Sequence, residues 1–199
     1  LQLAHTRAKG NRIRINSILR SHIDAFASLA ASLSHRPTHL AEIVPQEPSF
    51  LGTTDAAKPG MGGVYYDYNG VPHVWRQPFP DDMQQNLVSF DNPKGTITNS
   101  DLEQAGQLAQ VCLIAERADI RYCTIISGCD NTPAVSRMNK GAITSDGVPA
   151  MLCNFGCSHQ REHRYCHHSF YLPGDENGMA DDASRLQHLT DSKFLSHFE

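Results

Sequence analysis

The sequence predicts an α/β layered domain on a mixed five-stranded sheet flanked by helices, with a helical extension ahead of it. Three observations lead there. Between residues 49 and 77 aromatic and β-branched residues alternate around an Asn-Gly turn signal. Beyond residue 98, apolar residues recur at helical spacing in segments that alternate with short β-branched runs. The resulting order, β-β-β-α-β-α-α-β-α, places strands first and then alternates, the pattern of a layered α/β domain.

Taken in order, "NSILRSHIDAFASLAASLSH" opens with Asn16 and Ser17 and continues with helical periodicity, so a helix is expected. Pro37, Pro45 and Pro48 in "RPTHLAEIVPQEP" break it and mark a linker, with a domain boundary after Pro48. The expected organisation is residues 1–48 as N-terminal helix and linker, 49–188 as the main domain, and 189–199 as a C-terminal tail. "SFLGTTDAA" and "GGVYYDYNGVPHVWRQ" read as a strand and a hairpin. Asn86 to Phe90 is a further candidate strand. "TNSDLEQAGQLAQVCLIAERA" is a long helix opened by Asn/Ser capping, and "IRYCTIISGCD" a buried strand. "NTPAVSRMNKG" reads as a short helix stopped by Gly141, "VPAMLCNFGCSHQREH" as a helix despite Gly156, "RYCHHSFYLPG" as the last strand and "ENGMADDASRL" as the last helix.

The 199 residues suffice for one core plus an appendage, and no apolar run approaches the roughly 20 residues that cross a bilayer. The start, "LQLAHTRAKGNRIRIN", lacks secretory-signal order and an initiator Met, so a piece of a longer product is expected. Six cysteines scattered through apolar runs suggest reduced thiols and an intracellular setting, with cytoplasm, nucleus and virus-like particle not distinguished. Residues 1–40 hold Arg7, Lys9, Arg12, Arg14, Arg20 and Arg36 against Asp24 alone, whereas the remainder carries 11 basic and 20 acidic residues. A basic arm on an acidic domain is compatible with nucleic-acid contact through the arm and metal binding in the domain, and equally with a solvated arm.

Acidic residues fall at suggestive places. Asp55 ends the first strand and Asp130 the fourth, and ligand sites in α/β sheets gather at strand ends. Glu103 lies on the long helix and Asp181 on the last one. For "LPGDENGMADDASRL" two readings stand side by side: a solvated turn with a capped helix, or a turn whose Asp181 points inward to complete a metal site.

In context these four carboxylates sit in "TTDAAKPGMGGVYYD", "TITNSDLEQAGQLAQ", "TIISGCDNTPAVSRM" and "NGMADDASRL". Together the segments resemble the ribonuclease H domain of retroelement reverse transcriptases, particularly those of long-terminal-repeat and related retrotransposons, over residues 49–188. The "ITNSDLE" helix opening and the N-x-x-A-D-x-x-S-R ending are the most diagnostic parts. The resemblance implies a ribonuclease H fold in which Asp55, Glu103, Asp130 and Asp181 are catalytic and hold metal, Asp182 being the alternative to its neighbour. Adjacent helical residues diverge by about 100°, so only one of that pair faces the site. It further implies two Mg²⁺ ions, with Mn²⁺ able to substitute, about 3.5–4 Å apart, activating water and stabilising the leaving oxygen. The substrate would be the RNA strand of an RNA·DNA hybrid, read through 2′-hydroxyls and helix shape rather than base edges. Asn99 and Asn131 would contact the strand, although Asn99 also reads as a helix cap. Gly62 and Gly63 would ease entry into the second strand or admit a phosphate.

The sequence departs from that pattern in three ways. No histidine stands in "PGDENGM" before the last aspartate, no basic handle is present, and no Tyr-x-Asp-Asp signature marks a polymerase palm. A separate polymerase domain is therefore an expected partner, and residues 1–48 resemble the thumb or connection that precedes such a domain. A noncatalytic connection-like or degenerate domain is the alternative, and an integrase-type reading fails on the early helix glutamate. The cluster Cys153, Cys157, His159, His163, Cys166, His167 and His168 raises a zinc reading but lacks paired finger spacing. Core thiols with surface or hybrid-facing histidines is the plainer expectation.

Overall fold

A computed structural model describes residues 13–143 and 146–198. Arg7, Lys9 and Arg12 of the basic arm lie outside the described residues. The chain divides into two units between His39 and Leu40. In the first, helix α1 spans Ser17–His35, and the Asn16 side chain caps it by accepting the Leu19 N–H at 2.8 Å. Ile23, Phe26, Leu29 and Leu33 are exposed along it.

The second unit is built on a five-stranded sheet: β1 (Phe50–Ala57), β2 (Gly60–Tyr66), β3 (Pro72–Pro78), β4 (Thr124–Cys129) and β5 (Cys166–Tyr171), in the order β3-β2-β1-β4-β5. β2 is antiparallel to both of its neighbours, while β1, β4 and β5 run parallel. The expected mixed sheet with flanking helices is therefore what the chain forms. The β2–β3 hairpin is present, but its turn is wider than a two-residue Asn-Gly loop. Asp67 Oδ1 accepts the N–H groups of Asn69 and Val71, and only Gly70 takes a positive φ, of 74°.

Helices α2 (Asp81–Gln85), α3 (Asn99–Arg117), α4 (Thr132–Lys140), α5 (Val148–His163), α6 (Gly178–Arg185) and α7 (Asp191–Leu195) complete the unit. α3 lies on one face with α4 and α5 beside it, and its apolar side meets Phe50, Tyr65, Trp75, Ile125 and Tyr165 in the main core. Gly156 lets α5 approach, since a Cβ there would stand 2.9 Å from Leu108 Cδ2. α6 covers the other face, over β1 and β2. The linker is anchored to the sheet: Gln46 N–H donates to Thr124 Oγ1 and Ser49 N–H to the Thr124 carbonyl. The segment after Leu186 is also docked, with Arg76 bonded to the carbonyl of Leu189 and to Asp191, and stacked on Phe194.

Asn86 to Phe90 is not a strand. Only the single bridge Leu87–Ile97 forms there, because the Asn86 carbonyl accepts from Thr96 and Ile97 and the Asn92 amide closes on the carbonyls of Gln85 and Leu87. Local bonds of this kind satisfy the backbone without a strand partner.

Candidate active site

The sheet brings Asp55 and Asp130 together because their strands are adjacent and parallel, with Thr53 opposite Gly128. Asp55 lies two residues further along β1, and Asp130, two residues beyond Gly128, directly follows the end of β4. Glu103 arrives from the start of the second turn of α3 and Asp181 from the first turn of α6. Asp181 and Asp130 act electrostatically on Asp55, and Asp55 and Asp130 act on Glu103. All four predicted carboxylates therefore meet at one end of the sheet.

The environment opposes ionisation of Glu103 and Asp55. Glu103 is 2% exposed. Burial first, then the neighbouring Asp55 and Asp130, push its carboxyl up to about 9, against hydrogen bonds from the Ala56 backbone and Cys129. Asp55 is raised as well, by burial and by Asp181 and Asp130, while the Ser184 hydroxyl donates to its Oδ2 and pulls the other way. Arg185 Nε pairs with Asp181 Oδ1 at 2.6 Å and acts on Asp55 and Asp130 too. One guanidinium against a four-carboxylate cluster leaves negative charge in excess, and the donors are hard oxygens, a set that suits a hard divalent cation.

Of the adjacent pair on α6, Asp181 faces Asp55, whereas Asp182 Oδ2 contacts His197 Nε2 at 2.9 Å. The rest of the N-x-x-A-D-x-x-S-R segment also acquires a physical meaning. Asn177 Nδ2 donates to the Thr54 carbonyl at 3.0 Å, Ala180 and Ala183 are fully buried against the sheet, and Ser184 holds Asp55. Asn177, Ser184 and Arg185 are thus site residues that reading for carboxylates alone misses, although the motif itself contains them.

The expected substrate contacts fare differently. Asn99 is not the cap of α3: Thr98 is, with its N–H and hydroxyl both donating to Asp101 Oδ2 at 2.8 Å. Asn99 Nδ2 instead reaches Glu103 Oε1 at 3.4 Å, beside the cluster. Asn131 caps α4, accepting the Ala134 N–H at 3.1 Å. Gly62 and Gly63 offer a phosphate no room. A Cβ on Gly62 would stand 2.5 Å from the Ala183 carbonyl carbon, and one on Gly63 2.5 Å from the Thr53 carbonyl oxygen. The bend into β2 is made earlier, at Lys58 and Pro59. Gly62 lets α6 lie close enough for Ser184 and Asp181 to reach Asp55. Gly62→Ala should therefore cost about 1–3 kcal/mol of stability, measured by urea unfolding, and weaken cation binding without altering a carboxylate.

Among the described residues, the one group with metal-ligand geometry is Glu103, Cys129 and Asp130, not the Cys/His cluster. Cys153 takes a hydrogen bond from Gln104, and His159 stacks on His163. His167 is not a surface histidine. Both of its ring nitrogens are buried without a partner in the structure, and burial lowers its pKa to about 4.

No protein-family model matches the chain, and no curated protein is similar to it in sequence at a significant level. Among solved structures, the chain is similar to the ribonuclease H1 of the halophilic archaeon Halobacterium salinarum, at 12% identity and a TM-score of 0.49, over 74% of this chain and 98% of that one. It is also similar to the LC11 ribonuclease H1 solved with an RNA/DNA hybrid, at 16% identity and a TM-score of 0.49, over 67% and 92%. A foamy viral protease-reverse transcriptase in complex with double-stranded DNA matches at 12% identity and a TM-score of 0.43, over 87% of this chain and 32% of that one. Among the described residues no helix is long and apolar enough to cross a membrane.

Proposed function

We propose that the protein is a divalent-metal-dependent ribonuclease H that hydrolyses the RNA strand of RNA·DNA hybrids, as part of a retroelement reverse transcriptase. The observation that carries this reading is the convergence of Asp55, Glu103, Asp130 and Asp181 from two parallel strands and two helices on opposite faces of one sheet. A raised, buried glutamate beside three aspartates is costly in the absence of a cation, and a surface that merely binds nucleic acid has no use for it.

In this reading Asp55, Glu103, Asp130 and Asp181 hold the cations, Mg²⁺ or Mn²⁺. The bound cations supply charge neutralisation at the phosphate and an activated water. The chain's own residues set up that chemistry. Ser184 fixes the Asp55 carboxylate, and Arg185 pairs with Asp181 and fixes its orientation. Asn99, which opens α3 one turn before Glu103 and reaches its Oε1, is placed to contact the substrate strand. The acidic surface of residues 41–199 disfavours tight hybrid binding by this domain alone, so a polymerase domain is the proposed partner that supplies affinity.

The test is incubation of a labelled RNA·DNA hybrid, and separately of duplex DNA and single-stranded RNA, with the full chain and Mg²⁺ or Mn²⁺. Cutting of the hybrid's RNA strand alone, lost in Asp55→Asn, is the expected result. If a folded chain supplied with a polymerase domain in trans leaves the hybrid intact, or cuts it equally well as Asp55→Asn, the reading fails.

A further inference from the structure

Cys129 places a sulfur where the cluster otherwise offers oxygen. It is the last residue of β4, fully buried, with its side chain on the α3 side of the sheet. Its Sγ donates to Glu103 Oε2 at 3.7 Å and accepts the Asn131 N–H at 3.4 Å. One ligand atom each from Glu103, Cys129 and Asp130 lies within 4.8 Å of the other two. In a tetrahedral zinc site, Zn–S of about 2.3 Å and Zn–O of about 2.0–2.2 Å fix the S···O edge near ~3.6 Å. The sulfur and the Glu103 oxygen already stand at that separation.

Ligand chemistry separates this trio from the four-carboxylate set. Magnesium demands six hard oxygen ligands in near-ideal octahedral order and gains nothing from sulfur. A thiolate selects zinc and its heavier congener cadmium, which accept a mixed sulfur and carboxylate shell with fewer ligands. Asp130 follows the strand end and is more exposed than Cys129, which lies fully buried behind it.

We propose that Glu103, Cys129 and Asp130 form a second mode of cation binding at this site, which takes a thiophilic divalent cation such as Zn²⁺ through sulfur. On binding, the Cys129 S–H bond and the Glu103 carboxyl O–H bond both break, and the two protons go to solvent. The thiolate donates its electron pair to the ion, and the Sγ to Oε2 hydrogen bond is replaced by two bonds to the shared cation. No redox change is involved. The inference shares two carboxylates with the ribonuclease reading but not its chemistry, and a chain that cuts nothing can still bind zinc in this way.

The experiment titrates the metal-free full chain with Cd²⁺ and follows the ultraviolet thiolate-to-cadmium charge-transfer band, with Zn²⁺ as competitor and Mg²⁺ as control. The variants are Cys129→Ser, Glu103→Gln, Asp130→Asn and, at an exposed thiol elsewhere, Cys157→Ser. The expected result is a tight site whose band vanishes in Cys129→Ser and persists in Cys157→Ser. In Glu103→Gln and Asp130→Asn, which keep all six cysteines, Cd²⁺ should bind about tenfold more weakly or worse. Zn²⁺ should displace Cd²⁺ and bleach the band, and Mg²⁺ should not produce one. An undiminished band in folded Cys129→Ser overturns the proposal. Should that variant fail to fold by circular dichroism, unchanged Cd²⁺ midpoints in both Glu103→Gln and Asp130→Asn overturn it instead. Failure of hybrid cleavage leaves this outcome untouched, so the two readings fall separately.

Discussion

Glu103→Gln should make the metal-free protein more stable, and increasingly so as pH rises. The folded-state carboxyl is raised to about 9 from an ordinary value of 4.5, so between those limits the folded chain keeps a proton that the unfolded chain has released. Unfolding then sheds a proton, and stability falls with rising pH by as much as about 1.4 kcal/mol per pH unit across that window. Below it both states are protonated and the penalty is absent. Glutamine mimics the protonated form and carries no such slope. Urea unfolding in a chelator at about pH 5 and about pH 8 should show little difference at the lower value and a gain of a few kcal/mol at the higher one. A saturating divalent cation should narrow the gap by stabilising the natural chain more than the variant. Parallel pH profiles for the two proteins would mean that Glu103 is not held among like charges.

The second large effect is structural and lies just outside the carboxylates. Asp101, 2% exposed, accepts from Thr98 and pairs with Arg137 Nη1 at 2.7 Å. This bond ties the N-terminal end of α3, which presents Asn99 and Glu103, to α4, which begins directly after Asp130 and Asn131. Arg137→Ala leaves the buried carboxylate uncompensated and should cost about 3–5 kcal/mol in chemical denaturation. It should also lower cation affinity by loosening Glu103 relative to Asp130. Arg137→Lys should recover part of both, since it restores the charge without the planar guanidinium. Loss of stability with unaltered cation affinity would show that the ion pair supports the fold alone.

The sequence carries the architecture through local signals that need no distant partner. Asn16, the periodicity of residues 99–117 and the β-branched run of 124–129 each specify their element from neighbouring residues. The placement of the four carboxylates was legible because strand ends and the N-terminal ends of two helices converge once the sheet order is set. What escaped were choices made across long sequence separations. Nothing near Gly62 announces that its missing side chain seats Ala183, some 120 residues later. Nothing near Asp101 names Arg137, and Thr98 rather than Asn99 caps the helix because Asp101 reaches back to it. The segment 79–98 misled because Leu87, Val88 and Phe90 look like a strand, while Asn86 and Asn92 consume the backbone bonds that a strand would need. Cys129 reads as an ordinary core thiol until Glu103 is placed against it.

The central claim is that Asp55, Glu103, Asp130 and Asp181 act together as one cation site. The most direct test is calorimetric titration of the full chain with Mn²⁺, comparing the natural sequence with Asp55→Asn, Glu103→Gln, Asp130→Asn, Asp181→Asn and Asp182→Asn. The account expects binding by the natural chain, weakened by about tenfold or more in each of the first four variants and unchanged in Asp182→Asn. Absence of Mn²⁺ binding by the folded natural chain, or an Asp182→Asn loss equal to that of Asp181→Asn, would contradict it.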